Sequence, residues 1–139
     1  MNMRYILFLV LLPLVVSCTQ TPDEQLALLN GYWEIASVET AEGIKKEYGI
    51  SQNIDFIEVQ NGKGIRKKLQ PDLSGNFKTN AASENIDVAI KDNTVTLTYT
   101  TAFDSWSEEI IAIDQTKLTV VNQEGTTYHY RRYQPLLID

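Results

Sequence analysis

The chain has little of what most catalytic and disulfide-built proteins need. It carries one cysteine, one histidine and four prolines in 139 residues. A single Cys excludes an intrachain disulfide framework, and one His with one Cys cannot build a zinc site of the usual N/S type. The only histidine, His129, stands in Tyr-His-Tyr-Arg-Arg with no nucleophile-elbow sequence anywhere, so a Ser-His-Asp or Cys-His arrangement has no footing. Basic residues are also scarce, 12 Lys and Arg against 18 Asp and Glu. An acidic chain with scattered lysines does not fit nucleic acid. No apolar run is long enough to span a bilayer. The longest, residues 6–16, is of signal-peptide length and follows Arg4. No cofactor and no metal is implied.

The address is written at the amino terminus. Residues 1–17 read as a removable signal, which leaves enough chain for one domain with one core. The run Val15-Val16-Ser17-Cys18 resembles the lipobox of bacterial lipoproteins. The resemblance implies that Cys18 is diacylglycerated, that a peptidase cuts before it, and that the new amino group is acylated. A chain carrying more than one acyl group is stably anchored, where a single chain binds only reversibly. The expectation is a lipid-anchored protein of the bacterial cell envelope, on the outer membrane, with residues 18–24 as a lipidated tether and 25–139 as the folded domain.

Thr21-Pro22-Asp23-Glu24 has the form of a helix start: a capping hydroxyl, proline at the first helical position and acids in the first turn. Asn30-Gly31 ends that helix, and Leu26 and Leu29 give it one apolar stripe. Everything after Gly31 reads as short strands with turn signals between them. Strands are expected over 31–39, 53–59, 64–69, 74–80, 84–90, 94–100, 105–113, 117–122 and 126–133. Asn61-Gly62 and Asp92-Asn93 are strong hairpin turns. The clearest strand is 94–100, with Val95, Leu97 and Tyr99 on one face and four threonines on the other. No connection is long enough for a parallel crossover. The expected fold is therefore all-β, an antiparallel up-and-down barrel of about eight strands, which removes exposed edges by closure. A two-sheet sandwich is the alternative.

Gly31-Tyr32-Trp33, opening the first strand directly after a short helix, looks like the Gly-x-Trp signature of lipocalins and their calycin relatives. LLNGYWEIASVE, IDFIEVQNGKG, VAIKDNTVTLTYT and KLTVVNQEGTTYHYRRY together resemble the small lipocalin-like domains of bacterial lipoproteins. The resemblance implies that Gly31, Trp33 and an arginine from the last strand close one end of the barrel. Alternation from Tyr128 and Tyr130 selects Arg132 over Arg131. A late Thr-Asp-Tyr-type loop and a long helix after the last strand, both common in the family, have no counterpart.

Other residues raise questions of chemistry. Glu108 and Glu109 point to opposite faces of their strand and cannot share a site. If Trp106 and Ile110 face inward, so does Glu108, which must then lie at a rim or meet a basic group or ligand. Glu58 raises the same question. Lys63, Arg66, Lys67 and Lys68 read either as a solvent-facing edge or as a contact for anionic headgroups. The aromatics, Phe56 and Phe77 included, either fill the barrel or line a cup. The segment Thr101–Asp104 has no tight-turn pair and carries Phe103. It therefore marks Tyr99, Phe103, Trp106 and Glu108 as the candidate ligand-binding mouth. Three functions follow: a binder of a small apolar or amphipathic ligand, a packed module that recognises an envelope protein or glycan, and, third, an enzyme using Glu108 or a tyrosine. A non-enzymatic monomer is expected. The discriminator between the first two is whether the interior is hollow, on the scale of at least about 300 Å³.

Overall fold

The structure, a computed structural model, describes residues 19–49 and 53–134. Cys18 and the signal segment lie outside the described residues. The described residues fold as one short helix, α1 (Pro22–Leu29), and nine strands: β1 Gly31–Glu39, β2 Lys45–Glu47, β3 Ile54–Gln60, β4 Lys63–Pro71, β5 Phe77–Lys91, β6 Thr94–Thr100, β7 Ser105–Ile113, β8 Lys117–Asn122 and β9 Thr127–Arg132. Every pairing is antiparallel; from β3 to β9 each strand pairs with the next in sequence, β1 pairs with β2 and β3, and β9 returns to pair with β1. Eight strands close into a barrel. The three-residue β2 lies outside that ring, alongside the far half of β1, while β3 takes the near half. No edge of the eight-strand ring is left without a partner strand, which is the physical gain of closure.

The local reasons are those the residue pattern predicts. Thr21 caps α1, its Oγ1 accepting from the Glu24 N–H at 3.2 Å, with Pro22 in the first turn. Residues 22–24 belong to the helix, as the capping pattern predicts, so the expected tether of 18–24 overlaps the helix start. Asn61 and Gly62 turn β3 into β4, and Asp92 and Asn93 turn β5 into β6, all four at positive φ. That handedness matches the twist of the flanking strands. Along β6, Val95, Leu97 and Tyr99 are buried and the threonines between them half-exposed. The core is the barrel interior: Leu29, Trp33, Ile57, Ile86, Val95, Leu97, Tyr99, Ile110, Ile113, Leu118 and Val120. α1 lays Leu29 into one end of it.

Three expectations are corrected. The segments 74–80 and 84–90, expected as separate strands, form the single long β5. The linking Ala-Ala-Ser contains no residue that requires a turn, and a register shift between Lys67 and Leu69 absorbs the irregularity. β2 was not foreseen, because Lys-Lys-Glu carries no apolar alternation. Phe56 and Phe77 do not enter the barrel. With Tyr32 and Tyr133 they form a ring cluster, Tyr32 lying 5.1 Å from Phe56 and stacked 5.2 Å from Phe77. Register places them outside: Tyr32 pairs with Phe56 and is adjacent to the inward Trp33.

Candidate functional site

The two ends of the barrel differ. At the helix end, β1 pairs Trp33 with Arg132 of β9, and the guanidinium lies 3.8 Å from the centre of the indole. Trp33 is wholly buried, and its indole N–H donates to the Leu29 carbonyl at 2.8 Å. Arg132 donates to three more carbonyls, Asn30 at 3.0 Å, Leu28 at 2.8 Å and Gln115 at 3.1 Å. One planar cation thereby covers the tryptophan and ties the end of α1 to the β7–β8 turn. A cation on an indole face contributes about 0.5–2 kcal/mol. Gly31 has φ +131°, and a Cβ there would stand 2.8 Å from the Arg132 guanidinium. Gly31, Trp33 and Arg132 therefore form one closure. Arg131 points outward instead and pairs with Glu34 at 3.1 Å.

The turn Thr101–Asp104 lies at the opposite end, since β6 runs from the helix end upward and β7 returns. Below it, Tyr99 and Trp106 are cross-strand partners with rings stacked 5.7 Å apart. Glu108 is buried and faces inward. The residue that organises these three is Arg66 on β4. Its guanidinium lies 4.0 Å from the Tyr99 ring centre and 5.9 Å from that of Trp106. Arg66 Nε donates to Glu84 at 2.5 Å, and Nη1 stands 3.7 Å from Glu108 Oε1. Asp55 on β3 reaches the same region and accepts from Lys68 at 3.2 Å.

The electrostatics follow from burial. Exclusion of water pushes the Glu108 carboxyl above the usual range, and Arg66 opposes that rise without cancelling it. Burial raises the Tyr99 and Tyr130 hydroxyls as well. Burial alone would loosen the proton of Arg66, but the nearby Tyr99, Glu84 and Asp55 hold it more firmly than in water.

The placement of the candidate residues is therefore mixed. Tyr99, Trp106 and Glu108 come together. Phe103 does not: it is 98% exposed at the tip of the turn and touches none of them. The turn itself is tight, closed by Thr101 N–H donating to the Asp104 carbonyl at 2.9 Å. The Thr101 hydroxyl accepts from the Phe103 and Asp104 N–H groups. Arg66 was read with its lysine neighbours as solvent-facing or headgroup-facing. It is only 8% exposed and points inward, while Lys63, Lys67 and Lys68 remain exposed. The signal that could have found it is parity: Arg66 pairs with Ile57 across β3–β4, and Ile57 is a core position. Glu58 is exposed. His129 sits on the outer side of β9, its Nδ1 3.1 Å from the Thr119 hydroxyl.

These side chains fill the interior. The void left among them measures about 10 Å³. Fold and closure define a small antiparallel barrel of the lipocalin type, sealed at the helix end by an arginine on a tryptophan. Residues 29–120 match the profile of the lipocalin-like domain, and the chain belongs to that family. Among solved structures it is similar to a lipocalin-like protein from Bacteroides uniformis ATCC 8492 at 12% identity and a TM-score of 0.48, over 76% of this chain and 98% of that one. It is similar also to an uncharacterized protein from Bacteroides eggerthii DSM 20697 at 15% identity and a TM-score of 0.48, over 75% and 98%. No curated protein matches the chain.

Proposed function

We propose that this is a lipid-anchored envelope protein that acts by recognition at its surface. It is tethered through Cys18 to the bacterial outer membrane and docks a protein or a glycan, with its barrel interior serving as a packed scaffold. One observation supports this over ligand carriage. The interior void is about 10 Å³, where small-molecule sites occupy roughly 300–1,000 Å³. The void is bounded by Trp33, Tyr99 and the Arg66–Glu108 pair, so enlarging it means displacing buried charges as well as rings. The reading is also one of binding and not catalysis: His129 is on the outer wall, and the buried Glu108 faces a cation in place of an open cleft.

Native mass spectrometry of the protein purified from its own cells tests the whole reading. The expected species is a monomer beginning at Cys18, heavier by its acyl groups and without a retained small molecule. An apolar molecule released in stoichiometric amount on denaturation overturns it. A second reading places a small apolar or amphipathic ligand at the mouth. The meeting of Tyr99, Trp106 and Glu108 beneath the open rim favours that reading. It requires that hydrophobic probes quench Trp106 emission and that Trp106→Ala weakens their binding. The packed-module reading requires that neither occurs.

A further inference from the structure

The buried charges at the centre of the barrel are not all in direct contact. Arg66 Nη1 and Glu108 Oε1 are 3.7 Å apart, an ion pair beyond hydrogen-bond reach. Both are over nine-tenths buried, Arg66 hydrogen-bonded to Glu84 and Glu108 to Trp106, with no direct hydrogen bond between the two. Beside them lies the void of about 10 Å³, with Asp55, Arg66, Glu108 and Tyr130 on its polar side and Leu118 and Val120 on its apolar side. About 10–15 Å³ is the space one water needs, and a water also needs two to four polar partners. A polar separation above about 3.5 Å at a buried site is the geometry that a bridging water serves.

We propose that this void is a binding site for one water molecule. The water accepts from Arg66 Nη1 and donates to the Glu108 carboxyl, with Asp55 and Tyr130 as the remaining polar neighbours. The chemistry of the wall selects water over an ion. Among the residues lining the void Arg66 is the cation and Asp55 and Glu108 the acids, so the acids already outnumber the cation and an anion is disfavoured. A metal cation seeks oxygen ligands on all sides, and the guanidinium occupies one side. Water both donates and accepts, which is what a wall of mixed sign requires. A wholly apolar void of this size would stay dry. The bound water joins β3, β4, β7 and β9 through one hydrogen-bonded centre and keeps the interior packed.

The test uses the wild-type protein and Val120→Leu, in which one added methylene enters the void. Water ¹⁷O relaxation dispersion of the wild type should show a long-lived internal water that is lost in Val120→Leu, with circular dichroism unchanged. A high-resolution crystal structure of the wild type should show one water within hydrogen-bond distance of Arg66 and Glu108. The wild-type crystal stands as a test even if the variant does not fold. Crystals grown in rubidium bromide provide the ionic arm. An empty void, a dispersion signal unchanged by a folded Val120→Leu, or anomalous rubidium or bromide density in the void overturns the proposal.

Discussion

Trp33 and Arg132 share one contact surface and one set of carbonyls at the end of α1. Truncating a wholly buried tryptophan removes its contacts and leaves a cavity, so Trp33→Ala should cost about 3–5 kcal/mol in urea denaturation. Arg132→Ala should cost less, and the double variant less than the two single costs combined, because each single change already breaks the stack. Full additivity in that cycle means the guanidinium does not act through the indole. Glu108 makes a prediction of a different kind. Its folded carboxyl is raised by burial, so between its unfolded and folded titrations the native state holds more protons than the unfolded state. Stability then falls as pH rises through that window. The contribution is fully present below the ordinary glutamate range and is lost above the raised value. Glu108→Gln should flatten this fall, measured as melting temperature across pH 4 to 8. If the wild-type and variant curves run parallel, Glu108 does not titrate differently on folding.

At the scale of elements, the β6–β7 hairpin separates what a turn needs from what it displays. The Thr101 hydroxyl accepts from two backbone N–H groups of the turn. Thr101→Ala should therefore destabilise by about 1 kcal/mol, the net worth of one or two such bonds. Phe103 contributes no packing, and Phe103→Ser should change stability by less than about 0.5 kcal/mol. A larger loss would place Phe103 in contact with the rim. The helix was legible in full from Thr21, Pro22 and Asn30-Gly31, because caps act through local backbone geometry. The continuity of β5 is not visible in sequence, because Ser74–Asn80 has no apolar alternation to run on into that of Ile86, Val88 and Ile90, and only pairing with β4 makes the strand continuous. β2 is three charged residues with no pattern of their own, held as a strand only by β1.

At the scale of the whole molecule, the described residues form a barrel whose interior is full, and the anchor at Cys18 is an expectation from sequence. If Cys18 carries the lipid, Cys18→Ser should release the protein from membranes or leave an uncut precursor, followed by fractionation and mass spectrometry. A wild-type protein that is wholly soluble, with a free amino terminus, contradicts that assignment. Strand alternation, the Asn-Gly and Asp-Asn turns and the absence of crossover-length connections determined an antiparallel all-β fold, and the pairing of β9 with β1 decided that it closes as a barrel and not as a two-sheet sandwich. The alternation and the turns are periodic or local signals, carried by residues within a few positions of each other. The side of the wall on which Phe56 and Phe77 lie was decided only by tertiary structure, and that of Arg66 follows from the β3–β4 register that sets it against Ile57. KGIRKKLQP has no apolar alternation to reveal its inward face, and an aromatic can cover the outside of a barrel as well as fill it. Whether the barrel is hollow was also a tertiary outcome. The residual volume is the difference between the space the closed strands enclose and the summed size of Trp33, Tyr99, Arg66, Glu108 and their neighbours from several strands, and no single segment of the chain contains that difference.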